Sequence, residues 1–118
     1  MPHLLLIHEP VGQRAARSEA EGRATYEHML RWGAELQERG LLLAAESLAS
    51  LDTAVRVTAP AGKARIVDGP FAEAKEMVGG FFMVDVDSRA EAVLLAAECP
   101  AAAWATVEVR ALAPCFMP

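Results

Sequence analysis

At 118 residues the chain has the length of one domain, and with 53% hydrophobic but only 6% aromatic residues its alanines, leucines and valines must carry most of the apolar burial. A net charge of −5 without a basic cluster argues against nucleic acids and anionic membranes, whose phosphates select a concentrated positive surface. Two cysteines, Cys99 and Cys115, neither in a C-x-x-C pair, make neither a disulfide framework nor a zinc ligand set.

The run Leu4–Ile7 is too short for the apolar region of a secretory signal, and no stretch is long enough to span a bilayer, so a cytoplasmic location is expected. His3 to His8 reads as the first strand, broken by Pro10 and Gly12. Ser18 and Glu21 have capping-box spacing, which starts a helix that runs to about Arg39. Gly40 stands where a left-handed C-terminal cap is wanted. The helix's expected apolar stripe is Tyr26, Met29, Leu30, Gly33 and Leu36, with His28 and Trp32 on the opposite side.

Leu41 to Leu48 is apolar almost throughout, the pattern of a strand covered on both faces. Thr53–Ala59 and Ala64–Val67 form a hairpin about Pro60-Ala61-Gly62-Lys63. Ala72 to Val78 reads as a short helical turn stopped by Gly79-Gly80, and Phe81 to Val86 as a strong strand. Ser88 and Glu91 repeat the capping spacing for a second amphipathic helix, ended by Pro100 after Cys99, which reads as a small buried hydrophobe. Thr106 to Leu112 is the last strand, with Val107 and Val109 on one face and Glu108 and Arg110 on the other.

Two strand–helix–strand halves around a hairpin give a single α+β domain over residues 1–118, a ferredoxin-like split β-α-β sheet with an added hairpin. Both long helices would cover one sheet face and leave the other bare and apolar, which favours a homodimer.

The stretch Val67-Asp68-Gly69-Pro70-Phe71-Ala72-Glu73-Ala74-Lys75-Glu76, followed by Gly79-Gly80-Phe81, resembles the signature of the DGPF group of YCII-related proteins. The resemblance extends to Gly40-Leu41-Leu42, Glu46-Ser47-Leu48, Cys99-Pro100-Ala101-Ala102 and Val107-Glu108-Val109-Arg110, and so covers nearly the whole chain. It implies a dimeric α+β barrel, in which two sheets face each other around a cleft. It also implies a small bacterial protein of mostly unassigned biochemistry, often encoded near extracytoplasmic-function sigma factors. Some relatives carry a helix-1 histidine and a later aspartate, proposed as a catalytic pair. Here His28 is shifted by about one position and Cys99 replaces the acidic residue often found before the proline, so that pair is not carried over.

Among candidate sites, Asp68 opens the signature and can serve its own turn or a ligand. Glu73 and Glu76, three apart on the expected helical turn, could raise one another's pKa for acid–base work, or lie on a solvated face screened by Lys75. Glu46, in an otherwise apolar strand, must be paired, hydrogen-bonded or exposed on an edge, with Arg110 or Lys75 as a plausible partner. His8 at a strand end can reach a cleft, and Phe81 or Phe82 should line one. The candidate catalytic residues are therefore Asp68, Glu73 and Glu76, and the candidate ligand-binding residues His8, Glu46, Lys75, Phe81 and Arg110. No spacing supports a metal site, a bound cofactor, a nucleophile elbow or a phosphate loop. Two functions fit: a small-molecule-binding protein, with or without cofactor-free acid–base catalysis, and a non-catalytic ligand-binding or protein-interaction module tied to a sigma-factor stress response.

Overall fold

The computed structural model describes residues 1–118. Strand β1 (His3–Pro10) alternates strictly: His3, Leu5, Ile7 and Glu9 point into the protein, and Leu4, Leu6 and His8 point to the other face. A four-residue helix, α1 (Gln13–Ala16), follows a turn at Gly12, whose φ of 91° is left-handed. Helix α2 (Glu19–Glu38) starts with a complete capping box. The Ser18 hydroxyl accepts from the Glu21 amide, and the Glu21 carboxylate accepts from the Ser18 amide, a bond that holds the Glu21 carboxyl below its ordinary value. The helix ends in a Schellman motif: Gly40 at φ 71° donates to the Gln37 carbonyl and Leu41 donates to the Leu36 carbonyl.

Strand β2 (Leu42–Ser47) leads to a hairpin, β3 (Val55–Thr58) and β4 (Arg65–Asp68), and then to β5 (Glu76–Val84), helix α3 (Arg89–Glu98) and β6 (Thr106–Ala111). The main sheet has the antiparallel order β2-β5-β1-β6, the ferredoxin-like arrangement, and β3–β4 form a separate two-stranded sheet. The core joins α2 and α3 to one sheet face, with Leu5, Ile7, Phe82 and Val84 from the strands against Trp32, Leu36, Ala92 and Leu95 from the helices. Cys99 caps α3 from inside this core, and burial pushes its thiol above the ordinary value. The opposite face, carrying Leu4, Leu6, Phe81 and Met83, has no second layer.

Two expectations are corrected. The Ala72–Val78 segment is not helical: residues 72–75 form turns, and β5 already begins at Glu76. The cause is tertiary, because the end of β1 recruits this stretch, with His8 opposite Val78, Glu9 opposite Met77 and Pro10 opposite Glu76. Glu73 and Glu76 therefore share no helix face. The stripe of α2 is also rotated. Trp32 is 6% exposed and meets Phe82 edge-on, with ring centroids 4.9 Å apart at 77°, whereas Tyr26 and Leu30 are 52% and 54% exposed. The largest apolar surface on the helix takes the core position, and the two expected core residues are left over a cleft.

Candidate functional site

The inward alternation of β1 carries a carboxylate, Glu9, to the end of its buried face, where it is 4% exposed. An isolated charge at that depth would be expensive, and the chain supplies its partner five residues later. After Pro10 and the Gly12 turn, α1 brings Arg14 back over the strand end. Its Nε donates to Glu9 Oε1 at 2.5 Å and its Nη2 to Oε2 at 3.3 Å. Nη1 also donates to the Leu48 carbonyl at 2.8 Å and Nη2 to the Gly79 carbonyl at 3.3 Å, so one guanidinium ties β1, β5 and the segment after β2 together.

Gly79 makes this possible. It is the extra residue of a β-bulge, since Ile7 stands opposite Gly80 and His8 opposite Val78, and a Cβ at Gly79 would overlap the Glu9 carboxylate. A Cβ at Gly80 would in turn stand 2.8 Å from the Glu46 carbonyl. The two glycines let the neighbouring chain and the ion pair settle flat against β5.

This pair lies at the polar end of a cleft of about 560 Å³ between α2 and the sheet. Ile7, Ala45 and Phe82 form the sheet side, and Tyr26, Met29, Leu30 and Gly33 the helix side. At the polar end stand Glu9, Arg14, Arg17 and Ser47, contributed by the ends of β1 and β2 and by the segment that leads into α2. The Arg17 guanidinium lies 4.6 Å from the centroid of Trp104, whose carbonyl accepts from Gln13 Nε2 at 2.8 Å.

Of the residues that the sequence singles out, Glu46 and Phe81 border the cleft, but they stand opposite each other in the β2–β5 register and Phe81 stands opposite Leu6, so both side chains point to the open sheet face. Glu46 is exposed there and makes no ion pair; the expected partner Arg110 is on β6, at the far edge of the sheet from β2. Lys75 is exposed, also without an ion pair, in the turn before β5. His8 lies on the open sheet face, where Nε2 is 2.6 Å from Glu108 Oε1, and Glu108 Oε2 is 3.9 Å from Arg110 Nε. Asp68, Glu73 and Glu76 are all exposed and none borders the cleft. Glu73 is 3.5 Å from Arg56, whose guanidinium lies 3.6 Å from the centroid of the buried Phe71 ring. The Asp68–Glu76 part of the signature thus lies at the hairpin, whereas its Gly79-Gly80 part borders the cleft.

The site's central residues, Glu9, Arg14, Arg17 and Trp104, are absent from the sequence-based candidates. The sequence carries one signal for Glu9: it continues the period-two series His3, Leu5, Ile7, which places a carboxylate on a buried face. No cluster of three or more His, Cys, Asp or Glu side chains is placed to hold a metal ion, and no helix is long and apolar enough to cross a membrane.

A four-stranded antiparallel sheet backed by two helices, with a polar-ended cleft under the longer one, defines a ferredoxin-like α+β protein. The YCII-related domain family model matches residues 1–115, and the chain belongs to that family. No curated protein matches the sequence.

Proposed function

We propose that the protein binds a small amphipathic molecule in the cleft between α2 and the sheet, and does so as a homodimer. The observation that carries the reading is the Glu9–Arg14 pair. Replacing a buried ion pair by apolar residues of similar volume is often neutral or stabilising, so fold stability is a weak reason to keep one. A pair fixed at the end of an apolar cleft, over a glycine that admits it, has the form of a polar anchor with an apolar body site beside it.

Binding is better supported than acid–base catalysis. Both Glu9 oxygens already accept from Arg14, and Asp68, Glu73 and Glu76 lie away from the cleft. Glu46 offers no catalytic alternative in the cleft, because its side chain lies with Phe81 on the open sheet face. The homodimer is supported by the unlayered sheet face and by the exposed apolar side of β3–β4. That hairpin surface also motivates the alternative of an interaction module for a stress-response regulator, but a second copy of the chain is its simpler occupant.

The test is a thermal-shift screen of amphipathic metabolites on the wild type and on Ala34→Trp, which fills the cleft from an exposed helix position. A ligand at ~100 times its dissociation constant adds roughly 2.7 kcal/mol, which raises Tm by several degrees for a chain of this size. The wild type should show such a shift and Ala34→Trp should lose it. Equal shifts in both proteins would place binding elsewhere.

A further inference from the structure

Resting on the cleft as the binding site, we infer that its ligand is an amphipathic organic acid, whose carboxylate docks on Arg17 and whose apolar body lies against Tyr26, Leu30 and Phe82.

Three charged side chains face the cleft, and two of them, Glu9 and Arg14, neutralise each other. The third, Arg17, is half-buried, while Glu46, which also borders the cleft, carries its carboxylate on the open sheet face beside Phe81. Arg17 makes no ion pair and donates no side-chain hydrogen bond. The neighbouring Glu21 carboxylate feels the Arg17 charge but makes no ion pair with it, and accepts instead from the Ser18 amide at 2.9 Å. A guanidinium partly removed from water, with its edge donors unused, is an incomplete arrangement, and a planar carboxylate matches that edge with two parallel hydrogen bonds. The group is also held in place: its central carbon lies over the Trp104 ring, 4.6 Å from the centroid, a cation–π contact that uses none of its hydrogen-bond donors.

The charge balance selects a monoanion. With Glu9 and Arg14 cancelled, the cleft offers the single charge of Arg17, which a carboxylate monoanion matches and which is too little for a phosphate dianion. The body site follows from the rotation of α2. Tyr26 and Leu30, four residues apart, stand on one side of the helix beside the cleft, more than half exposed, with Phe82 on the sheet opposite. A ligand with an aromatic or branched aliphatic body would cover both.

Three compounds that share one body separate the possibilities: 4-phenylbutyrate, 4-phenylbutanol and 4-phenylbutylamine, titrated calorimetrically at neutral pH. The butyrate should bind the wild type about ten- to a hundredfold more tightly than the alcohol, the ratio expected for a hydrogen-bonded charged group. Arg17→Gln should bring the butyrate down to the level of the alcohol and leave the alcohol unchanged, and Arg17→Lys should fall between. A tighter amine than butyrate, or a butyrate affinity that survives Arg17→Gln, would overturn the anion assignment and leave the cleft standing. Silence from all three on the wild type would count against the cleft itself. The ranking on the wild type needs no variant, so a misfolded Arg17→Gln leaves the inference open to refutation.

Discussion

Gly79 has a hydrogen for a side chain because the Glu9 carboxylate occupies the space a methyl group would need. Gly79→Ala must therefore push Glu9 away from Arg14 and leave a charge that is 4% exposed without its partner. Breaking a fully buried pair costs about 3–5 kcal/mol; Arg14 keeps 35% of its surface, so about 2–3 kcal/mol is expected here. Gly22→Ala is the matching control. A methyl group there would meet nothing within 4 Å, and in a helix the exchange should stabilise by roughly 0.5–1 kcal/mol. Urea denaturation of the two variants should give shifts of opposite sign. A Gly79→Ala protein as stable as the wild type would mean that the pair does not need the glycine.

At the scale of elements, the sequence is most legible where structure is local. The Ser18–Glu21 box, the Gly40 cap, the Pro100 stop and the alternation of β6 all depend on residues within one turn, and all form. The rotation of α2 and the early start of β5 depend on partners far along the chain: Phe82 for Trp32, and His8 to Pro10 for Glu76 to Val78. Local pattern carries no information about either. The hairpin is a mixed case, found in place but in its own sheet. Arg56 on one side packs over Phe71, while on the other side Val57 stands opposite Ile66, 61% and 66% exposed, beside Val55. A two-stranded ribbon is marginal alone, and an uncovered aliphatic side on it is a surface awaiting cover. In the proposed homodimer this side should lie on the second copy. Light scattering of the wild type at micromolar concentration should give twice 12.6 kDa, and Val57→Asp with Ile66→Asp should shift the mass toward the monomer. A mass unaffected by both substitutions would free the hairpin from the interface, and a monomeric wild type would refute the dimer.

The whole molecule carries the same message in its dimensions. It measures 45 × 43 × 19 Å with a radius of gyration of 16.1 Å, against about 13.5 Å for a compact domain of this length. Its accessible surface is 8011 Å², whereas a compact monomer of this mass exposes about 6,200 Å². The excess, roughly 1,800 Å², falls within the roughly 1,000–2,500 Å² that each partner of an obligate homodimer buries. Composition foreshadows this, because a chain rich in aliphatics and poor in aromatics cannot cover all of its apolar surface in a single thin layer pair. The cleft is less legible in the sequence, since its charged residues come from a strand end, a short helix and a helix entry that only the fold brings together. Whether the cleft binds is best decided by amide chemical-shift mapping of the isotope-labelled protein titrated with 4-phenylbutyrate. Perturbations should concentrate at Gly22, Thr25, Gly33, Gly79 and Gly80, which border the cleft from both of its walls. Perturbations confined to Leu4, Leu6 and Met83 on the open sheet face would contradict binding there.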